Sequence, residues 1–422
     1  MKDLRLPKAK IGQLGNALLS SFVSRGFASP SSAGVFAGSW LAYAGFYLCR
    51  KNFSVVMPFL QNEVGLSKHQ LADIVFCYSL AYAGGQFLKG ELADRFTGRR
   101  IVAWGLTLAV AANLLMAPFA RFEPLLLLGM LNGLAQSTGW PSLVKLMGEW
   151  FPSKRRGVVM AWWSTNYVLG GLLATLLASA LVGAFPWTTA FWLPALLLGA
   201  ITSVFLLLVP RDLADGSCRA TPPKWNLLLA RPVVHLIALN ALVLKILRYT
   251  FLFWLPLYLS DRLRYRPDQA GFLSSAFELL GFGGALAAGY LSDRLTGGRR
   301  FPVIGVLLGG LALTCLIFPP LASSGWIGSL IAIMLVGFFT YGPDTLLQGA
   351  AAQDAGTATD AAATVGWING IASLGQLLAP YLVASVAVSR GWDRLFEILV
   401  GTAAAGALLS LLGWNWRNAN TR

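Results

Sequence analysis

The chain has 422 residues, 56% of them hydrophobic and only 12% charged, with a formal net charge of +15. Soluble domains average about 25% charged residues, so this chain lacks the polar surface to fold in water and is read as an all-α membrane protein. Its positive charge gathers at the ends of apolar segments, which argues for loops held on one side of a bilayer and against a nucleic-acid partner. Four scattered cysteines and two isolated histidines, His69 and His235, offer no pairing or metal spacing, so no metal and no cofactor is expected.

Residues 1–32 lack the layout of a signal peptide. Leu14, Leu18, Leu19 and Phe22 stand at helical spacing, so this cytoplasmic segment reads either as an interfacial helix or as a mobile tail. Twelve apolar stretches follow, over 33–59, 70–90, 101–120, 124–147, 157–184, 187–209, 232–259, 268–290, 301–322, 326–350, 361–388 and 395–414. A bilayer crossing needs about 20 residues. The stretches are continuously apolar rather than alternating, so they predict helices and not a barrel. The 15 tryptophans, Trp140, Trp162 and Trp163 among them, are read mostly as interfacial anchors.

The basic loops order the crossings. Arg95, Arg99 and Arg100 follow the second stretch, Lys154, Arg155 and Arg156 the fourth, and Arg294, Arg299 and Arg300 the eighth. Arg211, Arg219, Lys224 and Arg231 lie between the sixth and seventh. If the stretches alternate, all of these share one face, which places both termini in the cytoplasm. Arg262, Arg264 and Arg266 lie on the opposite face, beside Asp261 and Asp268.

Two loops repeat. Gly90-Glu91-Leu92-Ala93-Asp94-Arg95-Phe96-Thr97-Gly98-Arg99-Arg100 closes the second stretch, and Gly289-Tyr290-Leu291-Ser292-Asp293-Arg294-Leu295-Thr296-Gly297-Gly298-Arg299-Arg300 closes the eighth. Gly90 and Gly289 are 199 residues apart, as are Asp94 and Asp293, while Arg50 and Arg248, each deep in an apolar stretch, are 198 apart. One offset thus relates two loops and two buried charges. The chain is an internal duplication: an N-terminal half over 33–209, a Pro222-Pro223-bearing linker over 210–231, a C-terminal half over 232–414 and a tail over 415–422. Six crossings per repeat give both halves one orientation and a site between them near the midplane. In each loop, glycine is expected to let two helices approach, aspartate to accept from a neighbouring helix N-terminus, and the arginines to hold the loop at the interface.

A guanidinium in the hydrocarbon core is costly and is rarely unpaired. Arg50 and Arg248 at matched positions suggest one anion gripped from two sides. The alternative is that each pairs within the protein, with Glu278 and Asp344 as the acids available inside apolar stretches. Lys245 shares a helix face with Arg248 and either adds a third cation or extends to an interface. Lys51 is expected to pair with Glu278 across the halves, as a bridge that opens and closes or as a static one. Asp344 reads as a proton site or as a partner for a lysine such as Lys145.

The duplicated Gly-x-Leu-x-Asp-Arg-x-x-Gly-Arg-Arg loop resembles the signature of the major facilitator superfamily, which implies a fold of twelve transmembrane helices in two six-helix repeats. Within it, Tyr47-Leu48-Cys49-Arg50-Lys51-Asn52, Gly139-Trp140-Pro141, Leu247-Arg248-Tyr249 and Tyr341-Gly342-Pro343 resemble the organophosphate:phosphate antiporter family. The resemblance runs from the first crossing to the twelfth. It implies a carrier of the bacterial inner membrane that acts as a monomer. A small organophosphate of the glycerol-3-phosphate, hexose phosphate or phosphoglycerate class would be exchanged for inorganic phosphate by alternating access. No catalytic residue and no enzyme activity is implied. Arg50 and Arg248 would hold the phosphate, with Lys245 added. Tyr43, Tyr47 and Tyr341 match aromatic positions of that family's cavity, and Glu278 matches a glutamate position.

Departures put the organic group in doubt. Gln86 stands where the family often has lysine, Asn166 where it often has histidine, and Phe253 where the glycerol-phosphate branch has aspartate. Two other functions stay open: a proton-coupled symporter of an organic anion, for which Glu278 and Asp344 supply carboxylates, and a membrane sensor of hexose phosphate.

Overall fold

The computed structural model describes residues 30–95, 97–151, 159–160, 162–210, 229–356 and 361–416, with side chains except at 30, 87–95 and 361–363. The expected interfacial segment up to residue 29, residues 211–228 of the linker and residues 417–422 lie outside the described residues.

The described chain is almost wholly helical. Helix α1 spans Pro30–Asn62, α2 Lys68–Arg95, α3 Gly98–Met116, α4 Phe122–Ser137, α5 Gly139–Trp150, α6 Thr165–Ala184 and α7 Thr189–Leu208. After the linker come α8 at Pro232–Asp261, α9 at Pro267–Arg294, α10 at Arg300–Ser323 and α11 at Trp326–Thr345. A π-helical turn at Leu346–Ala350 leads into the short α12 at Ala351–Ala355, followed by α13 at Ala361–Ser389 and α14 at Gly391–Leu412. Helices α4 and α5 make one crossing, as do α11, the π turn and α12, so the described residues make twelve. Nine helical stretches among the described residues are long and apolar enough to cross a membrane. The other crossings are α1, with Arg50, Lys51 and Asn52 inside it, α2, and the split α4–α5.

Proline explains where helices start and falter. Pro232 and Pro267 open α8 and α9, where a missing N–H costs nothing. The expected continuous fourth crossing instead breaks at Thr138, because Pro141 has no N–H for the Ser137 carbonyl. In the tenth crossing Pro343 withholds the corresponding bond, and the ladder slips into the π turn just beyond it.

The packing repeats with the sequence. In the first half α1 packs on α6 and α7, α3 on α4 and α7, and α2 on α4. In the second, α8 packs on α13 and α14, α10 on α11 and α14, and α9 on α11. By crossing number, each pair in one half has its counterpart six crossings later. The halves meet along α2 with α13 and α6 with α9, the second and eleventh crossings and the fifth and eighth. Exchanging the halves converts one seam into the other, as an axis along the membrane normal requires.

The duplication reaches single atoms. A Cβ on Gly133 would lie 2.1 Å from the Tyr78 carbonyl oxygen, and one on Gly337 would lie 2.1 Å from that of Phe277. Tyr78 and Phe277 are themselves 199 residues apart. Small residues at such crossings let helices approach without a hydrophobic driving force between them. Gly337→Ala is therefore expected to destabilise the protein by about 1–3 kcal/mol through backbone displacement. Gly309→Ala, whose added carbon meets nothing within 4 Å, should stay within about 0.5 kcal/mol. Thermal melts in detergent compare the two, and equal midpoints would refute the close-crossing argument.

Leu127, Leu207, Val306, Leu313, Ile327 and Leu408 are more than half exposed. In water such a surface would drive aggregation, but against lipid it is the expected exterior. The described charges remote from the loops are instead buried at the centre. This is an integral membrane protein.

Candidate functional site

Arg50, on α1, is buried and held from below and behind. Its Nε and Nη2 donate to Gln136 Oε1 of α4 at 3.2 and 2.9 Å. Gln136 is oriented in turn by its own amide, which donates to the Phe46 carbonyl at 2.8 Å. The guanidinium lies 4.7 Å above the Tyr47 ring and 5.3 Å from that of Tyr82. Gln136 is neutral, so it satisfies donors without cancelling the charge, and the aromatic faces add cation–π attraction.

Arg248, on α8, mirrors this with one difference. It stands 4.7 Å over the Tyr341 ring, the same spacing as Arg50 over Tyr47. Its polar partner is a carboxylate, Asp344 at the end of α11, bonded to Nη1. The other Asp344 oxygen accepts from Gln348, one turn on. Asp344 therefore binds Arg248 rather than Lys145, which is exposed on α5, because α11 packs against α8. The Arg248 Nε is buried without a hydrogen-bond partner.

The two arginines approach a common space. Tyr47 interacts electrostatically with both. Lys245, one turn before Arg248 and buried, interacts with Arg50, Arg248 and Asp344, and its ammonium lies 5.4 Å over the Tyr249 ring. Tyr341 stacks on Tyr167 with centroids 6.4 Å apart.

Lys51, beside Arg50 but on another face of α1, reaches across the halves. Its ammonium is 2.7 Å from Glu278 Oε1 of α9 and donates to the Leu252 carbonyl of α8 at 3.4 Å. Both side chains are at most 3% exposed. The contact is a close ion pair set at an angle unsuited to a hydrogen bond, since neither Glu278 oxygen has a hydrogen-bond donor.

Asn166, on α6, is fully buried and neither end of its amide has a partner. A buried amide left so is costly, which marks a place where a polar ligand or water belongs. Tyr43 is surrounded by rings, 5.2 Å from Trp140 and 5.9 Å from both Tyr47 and Trp163. Trp163 is no interfacial anchor: it is fully buried and donates to Ser39 at 3.0 Å. Trp162, next to it, is half exposed.

Six charged side chains thus converge among the described residues: Arg50, Lys51, Lys245 and Arg248 against Glu278 and Asp344. The balance is +2.

The loop motifs divide differently from expectation. Side chains at Gly90, Asp94 and Arg95 lie outside the described residues. A Cβ on Gly289 would meet nothing within 4 Å, so this glycine does not serve a close approach. Gly98 does, since a Cβ there would sit 3.0 Å from the Ser142 carbonyl oxygen of α5. Arg99 donates to the Leu206 and Val209 carbonyls at 2.7 Å each, capping the end of α7. Asp293 binds the guanidinium of Arg300, the first residue of α10, at 2.5 Å, rather than a bare helix N-terminus. Arg300 also bridges to Asp354 at 2.9 Å. Arg294 is exposed, 6.0 Å over the Tyr290 ring.

On the face opposite these loops the halves are closed on each other. Lys68 pairs with Asp261 at 2.8 Å, and Tyr381 donates to Asp73 at 3.0 Å. Deeper along the same seam, Gln376 donates to Ser79 at 3.2 Å and Asn369 to Gln86 at 3.3 Å. Gln86 thus serves this seam.

A sequence profile described as Major Facilitator Superfamily matches residues 39–380. The chain belongs to the major facilitator superfamily. A Bacillus subtilis (strain 168) protein named glycerol-3-phosphate transporter is 28% identical over 416 residues, covering 90% of this chain and 92% of its own. A Bos taurus protein named glucose-6-phosphate exchanger SLC37A2 is 27% identical over 452 residues, covering 88% of this chain and 91% of its own. A crystal structure of a bacterial homologue of the human lysosomal transporter Spinster, inward-facing and occupied, superposes with a TM-score of 0.76 at 16% identity. It covers 92% of this chain and 97% of that one, and at this identity it speaks to the fold alone. Within the superfamily the chain is a member of the organophosphate:phosphate antiporter family.

Sequence reasoning did not name Gln136, Gln348, Tyr82, Tyr167 or Tyr249 as parts of this superfamily member's site. Tyr249 adjoins Arg248. Tyr82 and Gln136 had a findable signal, since each is a polar group facing inward from an apolar stretch.

Proposed function

We propose that the protein exchanges a small organophosphate for inorganic phosphate across the bacterial inner membrane, as a monomer with both termini cytoplasmic. The observation that carries this is the pair of buried arginines, one from each half, each backed by a tyrosine at 4.7 Å, in a site with a surplus of two positive charges. Phosphate monoesters carry about −1.5 to −2 charges at pH 7, and guanidinium forks bind their oxygens in pairs. Arg50, Arg248 and Lys245 hold the phosphate. Tyr43, Tyr47, Tyr341 and Asn166 shape and hydrogen-bond the rest. The halves, 33–209 and 232–414, rock about this site, and Lys51 with Glu278 is a bridge between them that the cycle opens and remakes. The named relatives carry glycerol-3-phosphate and glucose-6-phosphate in their names, which supports the substrate class and leaves its organic part to experiment.

Proteoliposomes preloaded with inorganic phosphate test the reading. Labelled phosphate should enter in exchange, with competition by glycerol-3-phosphate, hexose phosphates or phosphoglycerates naming the preferred partner. The buried carboxylate Asp344 favours one second reading, proton-coupled uptake of an organic anion. Uptake into phosphate-free vesicles driven by a pH gradient would establish that reading instead. Tight phosphate binding without any flux would indicate a sensor.

A further inference from the structure

We infer that Asp344 is a tethered rival of the substrate anion: it neutralises Arg248 in the empty site and passes to Lys245 when phosphate arrives. The inference rests on the phosphate-exchange reading above. Asp344 is 6% exposed, and each of its oxygens is engaged, one by Arg248 and one by Gln348. Gln348 sits in the π turn at Leu346–Ala350, so the carboxylate is held from a non-regular stretch of backbone rather than from a rigid helix. Lys245 is a ready second host. It is 7% exposed, makes no ion pair among the described residues, and interacts electrostatically with Asp344. The Tyr167 and Tyr249 phenols also interact with Asp344, and the other carboxylate of the cluster, Glu278, is paired with Lys51.

Carboxylate and phosphate compete for the same guanidinium charge. With Asp344 on Nη1, Arg248 still keeps an unpartnered buried Nε–H, a first foothold for an entering phosphate oxygen. A phosphate on the Nε and Nη2 edge of the fork would share the guanidinium charge with Asp344, and repulsion between the two anions drives the carboxylate towards Lys245. A bare Arg248 would bind phosphate more tightly and release it more slowly, which suits storage and not exchange. The rival sets the affinity at a level that allows turnover. Among the described residues Arg50 has no such rival, its partner being the neutral Gln136, so the two matched arginines are unequal: Arg50 is the standing anchor and Arg248 the exchangeable grip.

The test measures inorganic phosphate binding by calorimetry, and phosphate exchange in proteoliposomes, on the full chain with Asp344→Asn and Asp344→Glu. Asp344→Asn is expected to bind phosphate on the order of tenfold more tightly, the gain from removing one negative charge beside the bound anion, and to exchange it more slowly at saturation. Asp344→Glu keeps the charge and should bind within about threefold of the parent protein. If Asp344→Asn is unstable without ligand, purification in phosphate keeps it measurable. Its melting temperature should then rise more with added phosphate than that of the parent. Unchanged or weaker binding in Asp344→Asn, or an equal gain in Asp344→Glu, overturns the rival role. A parent protein that binds no phosphate overturns the exchange reading itself, a result told apart by being independent of residue 344.

Discussion

Replacing either Arg50 or Arg248 by lysine is expected to reduce phosphate exchange on the order of 100-fold, because each loses one or more charge-assisted bonds worth about 1.5–3 kcal/mol each. Lysine retains the positive charge, so the loss isolates the planar fork and the stacking surface. Both features are built into the site, as each guanidinium lies 4.7 Å over its tyrosine and Arg50 sends two nitrogens to the single Gln136 oxygen. The variants should differ in stability. A lysine at 248 can still pair with Asp344, whereas one at 50 leaves Gln136 with one poorly placed donor. The Arg50 variant should therefore melt lower while both lose flux. Exchange within about threefold of the parent in either folded variant would remove the two-arginine grip from the mechanism.

Glu278→Gln is expected to cost about 3–5 kcal/mol, the penalty for stranding one member of a buried ion pair. Lys51 lies in a nearly closed environment, with Glu278 2.7 Å away and the Leu252 carbonyl at 3.4 Å. The double variant Lys51→Met, Glu278→Leu restores a matched apolar pair and should recover most of that stability, since a well-packed apolar replacement is often neutral or better. Flux separates the two roles of the bridge. If the halves must break and remake it, the double variant melts near the parent but exchanges phosphate slowly. Normal exchange in the double variant would reduce the pair to a static tie. Detergent melts and proteoliposome flux on the same preparations decide between them.

The twelve crossings were legible because bilayer thickness imposes a minimum length on every one, and the duplication because a shared offset of 198 or 199 residues runs through loops and charges alike. Partners were harder. Asp344 lies 96 residues from Arg248 and on a helix from another crossing. No spacing rule distinguishes it there from a proton site. The break at Thr138 was hidden inside an apolar run, since hydropathy does not register that Pro141 lacks an N–H. Trp163 failed as an anchor for a similar reason: indole is as much at home in a packed core with a hydroxyl acceptor as at a membrane interface. Gln136 carries no charge to draw attention, yet it sets the orientation of Arg50.

The fourth and tenth crossings each lose a rung at a proline, Pro141 in one and Pro343 in the other. A rod with a missing rung flexes there first. Gln136 lies two residues before the break at Thr138, and Asp344 two residues before the π turn at Leu346–Ala350. The polar partners of the two arginines thus sit within two residues of the irregular turns of these crossings, while Arg50 and Arg248 stand eight residues before the prolines of their own helices, Pro58 and Pro256. Duplication has set an irregular turn beside the polar partner of each arginine, once in each half.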